Sequence, residues 1–287
     1  MSPPVFRFAP SPNGRLHLGH ALSALCNEAE ARRLGGRLLL RIEDIDAERC
    51  RPDFEAAIIA DLDWLGIRFD GAVRRQSEHM DAYRAALGAL RERGLIHACR
   101  CSRGDIRAVW ASRSMACPQD PDGAPLYPGT CRSVPESGAS TADGSANVLA
   151  WRLDMVRALD VIGPDAGYWR FAPDGTERLC PIRPERWGDV VLARKHTPTS
   201  YHLSVVVDDA LQGVTHVVRG RDLEAATDIH VVLQKLLGLP TPHYHFHDLV
   251  RDEQGQKLAK SRNAPALADL RDAGLAPADV RRQLGFA

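Results

Sequence analysis

Arg7 to His20 reads Arg-Phe-Ala-Pro-Ser-Pro-Asn-Gly-Arg-Leu-His-Leu-Gly-His, and this run limits the folds open to the chain more than any other. The β-prone residues Val5 to Phe8 lead into it. Pro10, Pro12 and Gly14 bar regular structure, and from His17 a helical pattern begins with Leu18, Leu22 and Leu25. Strand, tight turn and helix start in that order make an anion site, because the first amides of a helix point outward without intrahelical partners. His17 and His20 lie three apart and share one face of the first turn. Gly19 lets a phosphate or a flat ring approach the backbone. The bland alternative for a lone His-x-Gly-His is a βα turn with two surface histidines; four linked features together favour a site.

The rest of the chain continues in the same alternating style. Arg37 to Ile42 is an apolar run suited to a buried parallel strand, and it ends in Glu43-Asp44-Ile45-Asp46. An acidic cluster beyond a strand's carboxyl end sits where open α/β sheets bind ligands. Glu43 is placed to meet a cationic group there, while Asp44 and Asp46 can cap or salt-bridge the next segment. Pro52 opens a helix along Phe54, Ile58, Leu62 and Leu65, stopped by Gly66, and Ser77 is expected to cap a second through Met80, Tyr83, Leu87 and Leu90. Val205 to Val207 suits a strand or a helix core equally. Gly213 to Gly220 reads as a strand with Arg219 near its end, and Asp228 to Leu237 as a helix. His243, His245 and His247 alternate along a strand, with no carboxylate or thiol spaced to complete a metal site. The alternation predicts a Rossmann-like, doubly wound α/β fold. Residues 1–96 are expected to form the first half of that sheet, 97–187 an insertion carrying the cysteines, 188–240 the second half, and 241–287 a C-terminal segment with the Lys257–Ser261 run.

The charges balance at 37 basic and 37 acidic residues, so nucleic acid would have to be met by a local patch. No apolar run approaches a membrane span and Met1-Ser2-Pro3-Pro4 lacks the parts of a signal peptide, which predicts a cytoplasmic protein. Seven cysteines, an odd number, suit reduced thiols or a metal better than a disulfide framework. Cys99 and Cys101 are followed by Tyr127 and Cys131; two thiolates on one turn can grip a metal, and the spacing leaves the fourth ligand open between Cys117, the Tyr127 oxygen and none.

The Arg7–His20 run resembles the His-Leu-Gly-His signature of class I aminoacyl-tRNA synthetases, and Arg-Phe-Ala-Pro-Ser-Pro narrows the likeness to the glutamate-specific branch. Lys257-Leu258-Ala259-Lys260-Ser261 resembles the second signature of that class, a Lys-x-Ser-Lys loop, with Ala259 where a serine is usual. The cysteine set is similar to the Cys-x-Cys and Tyr-x-x-x-Cys pattern of glutamyl-Q tRNA(Asp) synthetases, though the stretch 102–126 is longer than that family usually carries. The resemblance implies one structural Zn2+ on Cys99, Cys101, Tyr127 and Cys131, within the inserted subdomain. It implies ATP with Mg2+ as well, and no anticodon-binding domain, because the chain stops soon after the lysine loop.

With glutamate and ATP as ligands, two carboxylates need cationic partners, and Arg7 and Arg219 at strand ends offer planar forks. Glu43 answers the ammonium, and Ser11 and Tyr201 add hydroxyl contacts. His17, Gly19 and His20 would meet ATP on one side, Lys257 and Lys260 on the other, with His17, His20 and Lys260 acting in the transition state. The implied activity is activation of L-glutamate without tRNA, followed by transfer to the queuosine base of tRNA(Asp), by a monomer. Charging of tRNA(Glu) at its 3′ end and a non-catalytic glutamate- or nucleotide-binding module are the competing expectations.

Overall fold

The computed structural model describes residues 2–133, 149–194, 197–250 and 265–286. Its frame is parallel β-sheet. Strands β1 (Val5–Phe8), β2 (Arg37–Ile42) and β3 (Arg74–Arg75) pair in parallel, in the spatial order β1-β2-β3. Helix α1 (Leu18–Arg33) connects the first two strands and α2 (Pro52–Trp64) leads toward the third. Then α3 (Met80–Glu92) precedes the inserted elements: β4 (Ile96–Cys99), α4 (Arg103–Ser112), β5 (Ala150–Leu153), α5 (Met155–Ile162), β6 (Gly167–Phe171), β7 (Glu177–Pro181) and β8 (Val191–Ala193). The chain continues as α6 (Tyr201–Leu211), β9 (His216–Gly220), α7 (Thr227–Leu237), β10 (His243–His247), α8 (Leu267–Asp272) and α9 (Pro277–Gln283).

A second sheet runs in the order β7-β6-β10-β9, with β6, β10 and β9 parallel and β7 antiparallel. It meets the first edge to edge: Thr215, just before β9, donates its amide to the Val5 carbonyl at 2.9 Å. From this junction the chain steps outward from β1 to β2 on one side and from β9 to β10 on the other, which makes it the topological switch point where such sheets bind ligands. Both β1 and β9 lie against α1, and Asn27 of that helix donates to the Val218 carbonyl at 3.0 Å.

The core explains why these segments adopt these forms. Phe6, Leu25, Ile42, Ile58 and Leu62 are buried together between sheet and helices, each side chain contributing about 1.5–3 kcal/mol. Leu90, Leu153, Val206, Val232 and Leu236 form a second cluster around α3, α6 and α7. Val205 to Val207 belong to a helix: all three are buried, because α6 is covered on more than one side.

One expectation changes. Ser77 does not cap α3. It lies in a single 3₁₀ turn, Gln76–His79, and donates its amide and hydroxyl to Asp44 at 2.9 and 2.5 Å, while His79 precedes the helix. The carboxylate just beyond β2 is the stronger acceptor and draws the serine to it. Strand pairing also runs across the boundary at 187/188, since β8 joins β4 and β5 in a small antiparallel sheet while β6 and β7 extend the main one. Among the described residues no helix is long and apolar enough to cross a membrane.

Candidate active site

Helix α1 begins at His17, whose extended backbone and side chain cap it. Gly19 donates its amide to His17 Nδ1 at 3.0 Å, and His17 donates its own amide to His20 Nδ1 at 3.2 Å. Each Nδ1 acts as an acceptor, so the neutral rings carry their protons on Nε2. The two rings pack with centroids 3.9 Å apart. A Cβ on Gly19 would stand 2.9 Å from His17 Cε1, which accounts for the glycine. The first turn thus takes the Gly19 and His20 amides for itself and sets two imidazole rings at the positive end of the helix.

These residues line a cleft of about 650 Å³ at the switch point, together with Arg7, Ser11, Glu43, Tyr201 and Arg219. Every glutamate-site candidate from the sequence therefore reaches one cavity, beside His17, Gly19 and His20. Arg7 comes from β1, Glu43 from the end of β2, and Arg219 from β9. Lys257, Ala259 and Lys260 lie outside the described residues. The described chain flanking them stays near the cleft: Leu249 and Val250 line it, and Ala266 bridges to His17.

A buried ion-pair network fixes the Arg7 and Glu43 side. Arg7 Nε donates to Asp209 Oδ1 at 3.1 Å, and Arg41 Nη1 reaches the same oxygen at 2.7 Å. Arg41 Nη2 also donates to Glu43 Oε1 at 3.2 Å. Asp208, the neighbour of Asp209, accepts from Arg74, Gln76 and Tyr83 at 2.8–2.9 Å. Arg41 is fully buried, and Asp208 is too. Burial pushes the Asp209 carboxyl up, but Arg7 and Arg41 outweigh it and hold the group below the usual carboxylate range. At Glu43 the balance reverses: burial prevails over Arg41 and Arg7, and its proton is held above the usual range. Glu43 gains most from a cation, which the ammonium of an amino acid would supply.

Arg219 is held quite differently. Its Nη2 donates to Thr227 Oγ1 at 2.6 Å and its Nη1 to His230 Nδ1 at 3.1 Å. The guanidinium also lies over the rings of Tyr244 and Phe246, 5.2 and 5.7 Å from their centroids. Tyr244 is steadied by Gln234, which donates to its hydroxyl at 3.0 Å. Thr227, His230 and Gln234 recur at helical spacing on α7, all buried among its apolar residues. Sequence reading missed this stripe, and it missed Asp208 and Asp209 as partners of the arginines. A polar stripe among a helix's apolar residues is the signal that could have found the first.

The inserted subdomain brings Cys99, Cys101 and Cys131 together with all three sulfur atoms within 4.8 Å of one another, the one such group of potential metal ligands among the described residues. Cys101 and Cys131 Sγ are 3.6 Å apart. The edge of a tetrahedral zinc–thiolate site is about 3.8 Å, given Zn–S of about 2.3 Å, so the donor set and its spacing fit. Tyr127 packs in the same small cluster, its hydroxyl accepting the Cys131 amide at 2.6 Å. Cys117 is not part of the group and donates to the Pro118 carbonyl at 3.5 Å.

The family of class I tRNA synthetases (E and Q), catalytic domain, matches residues 5–284. A glutamyl-Q tRNA(Asp) synthetase of Rhodobacter capsulatus is 50% identical over 98% of this chain and 100% of its own length. One of Thiobacillus denitrificans is 41% identical over 96% of this chain and 84% of its own. Among solved structures, a glutamate tRNA ligase of Elizabethkingia meningosepticum in complex with its amino acid has a TM-score of 0.71 and 25% identity. That likeness covers 95% of this chain but 53% of the ligase, so the chain spans about half the length of that structure. A methionyl-tRNA synthetase of Mycobacterium tuberculosis, at 15% identity and a TM-score of 0.60, shares the fold.

Proposed function

We infer that this chain, which belongs to the class I tRNA synthetase family for glutamate and glutamine, activates L-glutamate with ATP and transfers it to the queuosine base of tRNA(Asp). The observation that carries the reading is the convergence of Arg7, Glu43 and Arg219 in one cleft beside His17 and His20. Glu43 receives the α-ammonium, Arg7 the α-carboxylate and Arg219 the side-chain carboxylate, with Ser11 and Tyr201 fixing the orientation. The α-carboxylate oxygen attacks the α-phosphorus of ATP, the bond to the β-phosphate oxygen breaks, and pyrophosphate leaves. The protein's part is alignment and neutralisation of charge on the phosphates. His17, His20 and the positive end of α1 do this on one side of the cleft, and Lys257 and Lys260 are proposed for the other. Magnesium accompanies ATP. In the second step a hydroxyl of the queuosine cyclopentenediol attacks the glutamyl carbonyl, and AMP departs.

Cys99, Cys101 and Cys131, with the Tyr127 oxygen, would hold a zinc ion whose contribution is to brace the subdomain. The reaction is placed in the cytoplasm, with the enzyme acting as a monomer.

The decisive test offers radiolabelled glutamate and ATP with queuosine-containing tRNA(Asp), queuosine-free tRNA(Asp) and tRNA(Glu). Label is expected on the first alone. Label on queuosine-free tRNA(Asp), or on tRNA(Glu) in preference, would replace this reading with conventional 3′-end charging.

A further inference from the structure

We propose that His230 is a positioning residue that sets the preference for glutamate over glutamine, by holding Arg219 through a neutral acceptor and leaving its charge for the substrate to meet. The inference rests on the reading above, in which Arg219 takes the side-chain carboxylate.

The charges around the cleft are divided unequally. Arg7, Arg41 and Arg74 form ion pairs with Glu43, Asp208 and Asp209, three cations against three anions in one connected group. Arg219 has no ion pair among the described residues. Its partners are Thr227, His230 and two aromatic rings, none of them anionic. Asp228, next to Thr227 on α7, is engaged by Arg186 at 2.8 Å. Arg219 is nevertheless buried, 4% exposed, so its charge is poorly hydrated and calls for a counter-ion. Glutamate brings one ammonium and two carboxylates, a net charge of minus one, which completes the balance. Glutamine is neutral overall and would leave Arg219 uncompensated.

The geometry around His230 keeps the acceptor neutral. A guanidinium can only donate, so His230 Nδ1 accepts and the ring proton sits on Nε2. That proton faces His202 Nδ1 at 3.3 Å, which orients the His230 ring. Protonating His230 would set two donors and two positive charges against each other. Burial, then Arg219 and His202, hold its proton affinity well below the usual histidine range. Tyr201, which lines the cleft, packs its ring against both imidazoles with centroids 5.5 Å away. A carboxylate at position 230 would hold Arg219 equally well but would cancel its charge, and this is the alternative the sequence avoids.

The test measures adenylate formation with glutamate and with glutamine for the wild type, His230→Leu, His230→Asp and His230→Asn. Removing the acceptor in His230→Leu should raise KM for glutamate by at least about tenfold, with kcat and KM for ATP within about threefold. His230→Asp should lower the glutamate-to-glutamine ratio of kcat/KM by at least about tenfold, since a neutralised guanidinium no longer rejects the amide. His230→Asn can place an amide oxygen near the Nδ1 position and should recover most of the KM lost in the leucine variant. Wild-type KM in His230→Leu, or a wild-type ratio in folded His230→Asp, overturns the proposal. If His230→Asp fails to fold by circular dichroism, the leucine and asparagine pair decides. A wild-type protein that forms no glutamyl-adenylate would instead overturn the functional reading on which the proposal rests.

Discussion

Asp209 touches two guanidinium groups with a single oxygen, and that economy makes it the side chain that holds Arg7, the proposed partner of the α-carboxylate. Removing its charge leaves Arg7 and Arg41 buried with less compensation, a loss of about 3–5 kcal/mol for a broken buried pair. Asp209→Asn should lower the urea midpoint accordingly and raise KM for glutamate. The native carboxyl titrates below its unfolded value of about 3.9, so its stabilisation is complete at neutral pH and is lost as pH falls through the native value. The gap between the wild-type and variant midpoints should therefore narrow below about pH 4; a constant gap down to pH 2 would contradict this assignment. Gly19→Ala makes a different kind of test, because two consequences have opposite signs. Alanine favours the helix by about 1 kcal/mol, yet its Cβ would displace the His17 ring. Losing the His17 cap costs about 1 kcal/mol as well, so thermal stability should stay near wild type while adenylate formation falls by at least about tenfold; a large loss of stability with unchanged adenylate formation would point to a merely structural glycine.

At the scale of elements, legibility followed from where each side chain stood. Arg7, Glu43 and Arg219 were readable because each sits at or near the end of an apolar strand, where ligand chemistry is expected. Asp208 and Asp209 were not assigned because Val205 to Val207 left strand and helix equally open, and only a helix carries both aspartates inward from α6 to the arginines of β1, β2 and β3. His230 was hidden by its neighbours Ile229, Val231 and Val232, whose burial made α7 look like plain core. The cysteines were legible by spacing and Tyr127 by the family pattern; the fold brings Tyr127 to Cys131 and leaves Cys117 outside the cluster. Freshly purified protein should contain about one zinc per chain. Cys101→Ser should lose it and expose the 97–133 region to proteolysis, while Cys117→Ser should keep it. Equal metal loss in both variants would remove the four-ligand assignment.

Across the whole molecule, the site exists because two sheets meet edge to edge at Val5 and Thr215, and the chain steps outward from β1 to β2 on one side and from β9 to β10 on the other. That junction sets β1, β2 and β9 so that their carboxyl ends share one cleft, while α1 delivers His17 and His20 to its rim and α6 and α7 supply the partners of the arginines. The fold class was readable from the alternation of strands and helices. The sharing of β6, β7 and β8 between sheets was not, because strand pairing depends on contacts distant in sequence. Glutamate-dependent exchange of pyrophosphate into ATP, measured in the absence of any tRNA, puts the convergence of Arg7, Glu43 and Arg219 to the most direct trial. Robust exchange with glutamate, much weaker exchange with glutamine, and loss of exchange in Arg219→Leu are the predicted results. No exchange without tRNA, or exchange indifferent to Arg219, would contradict the account.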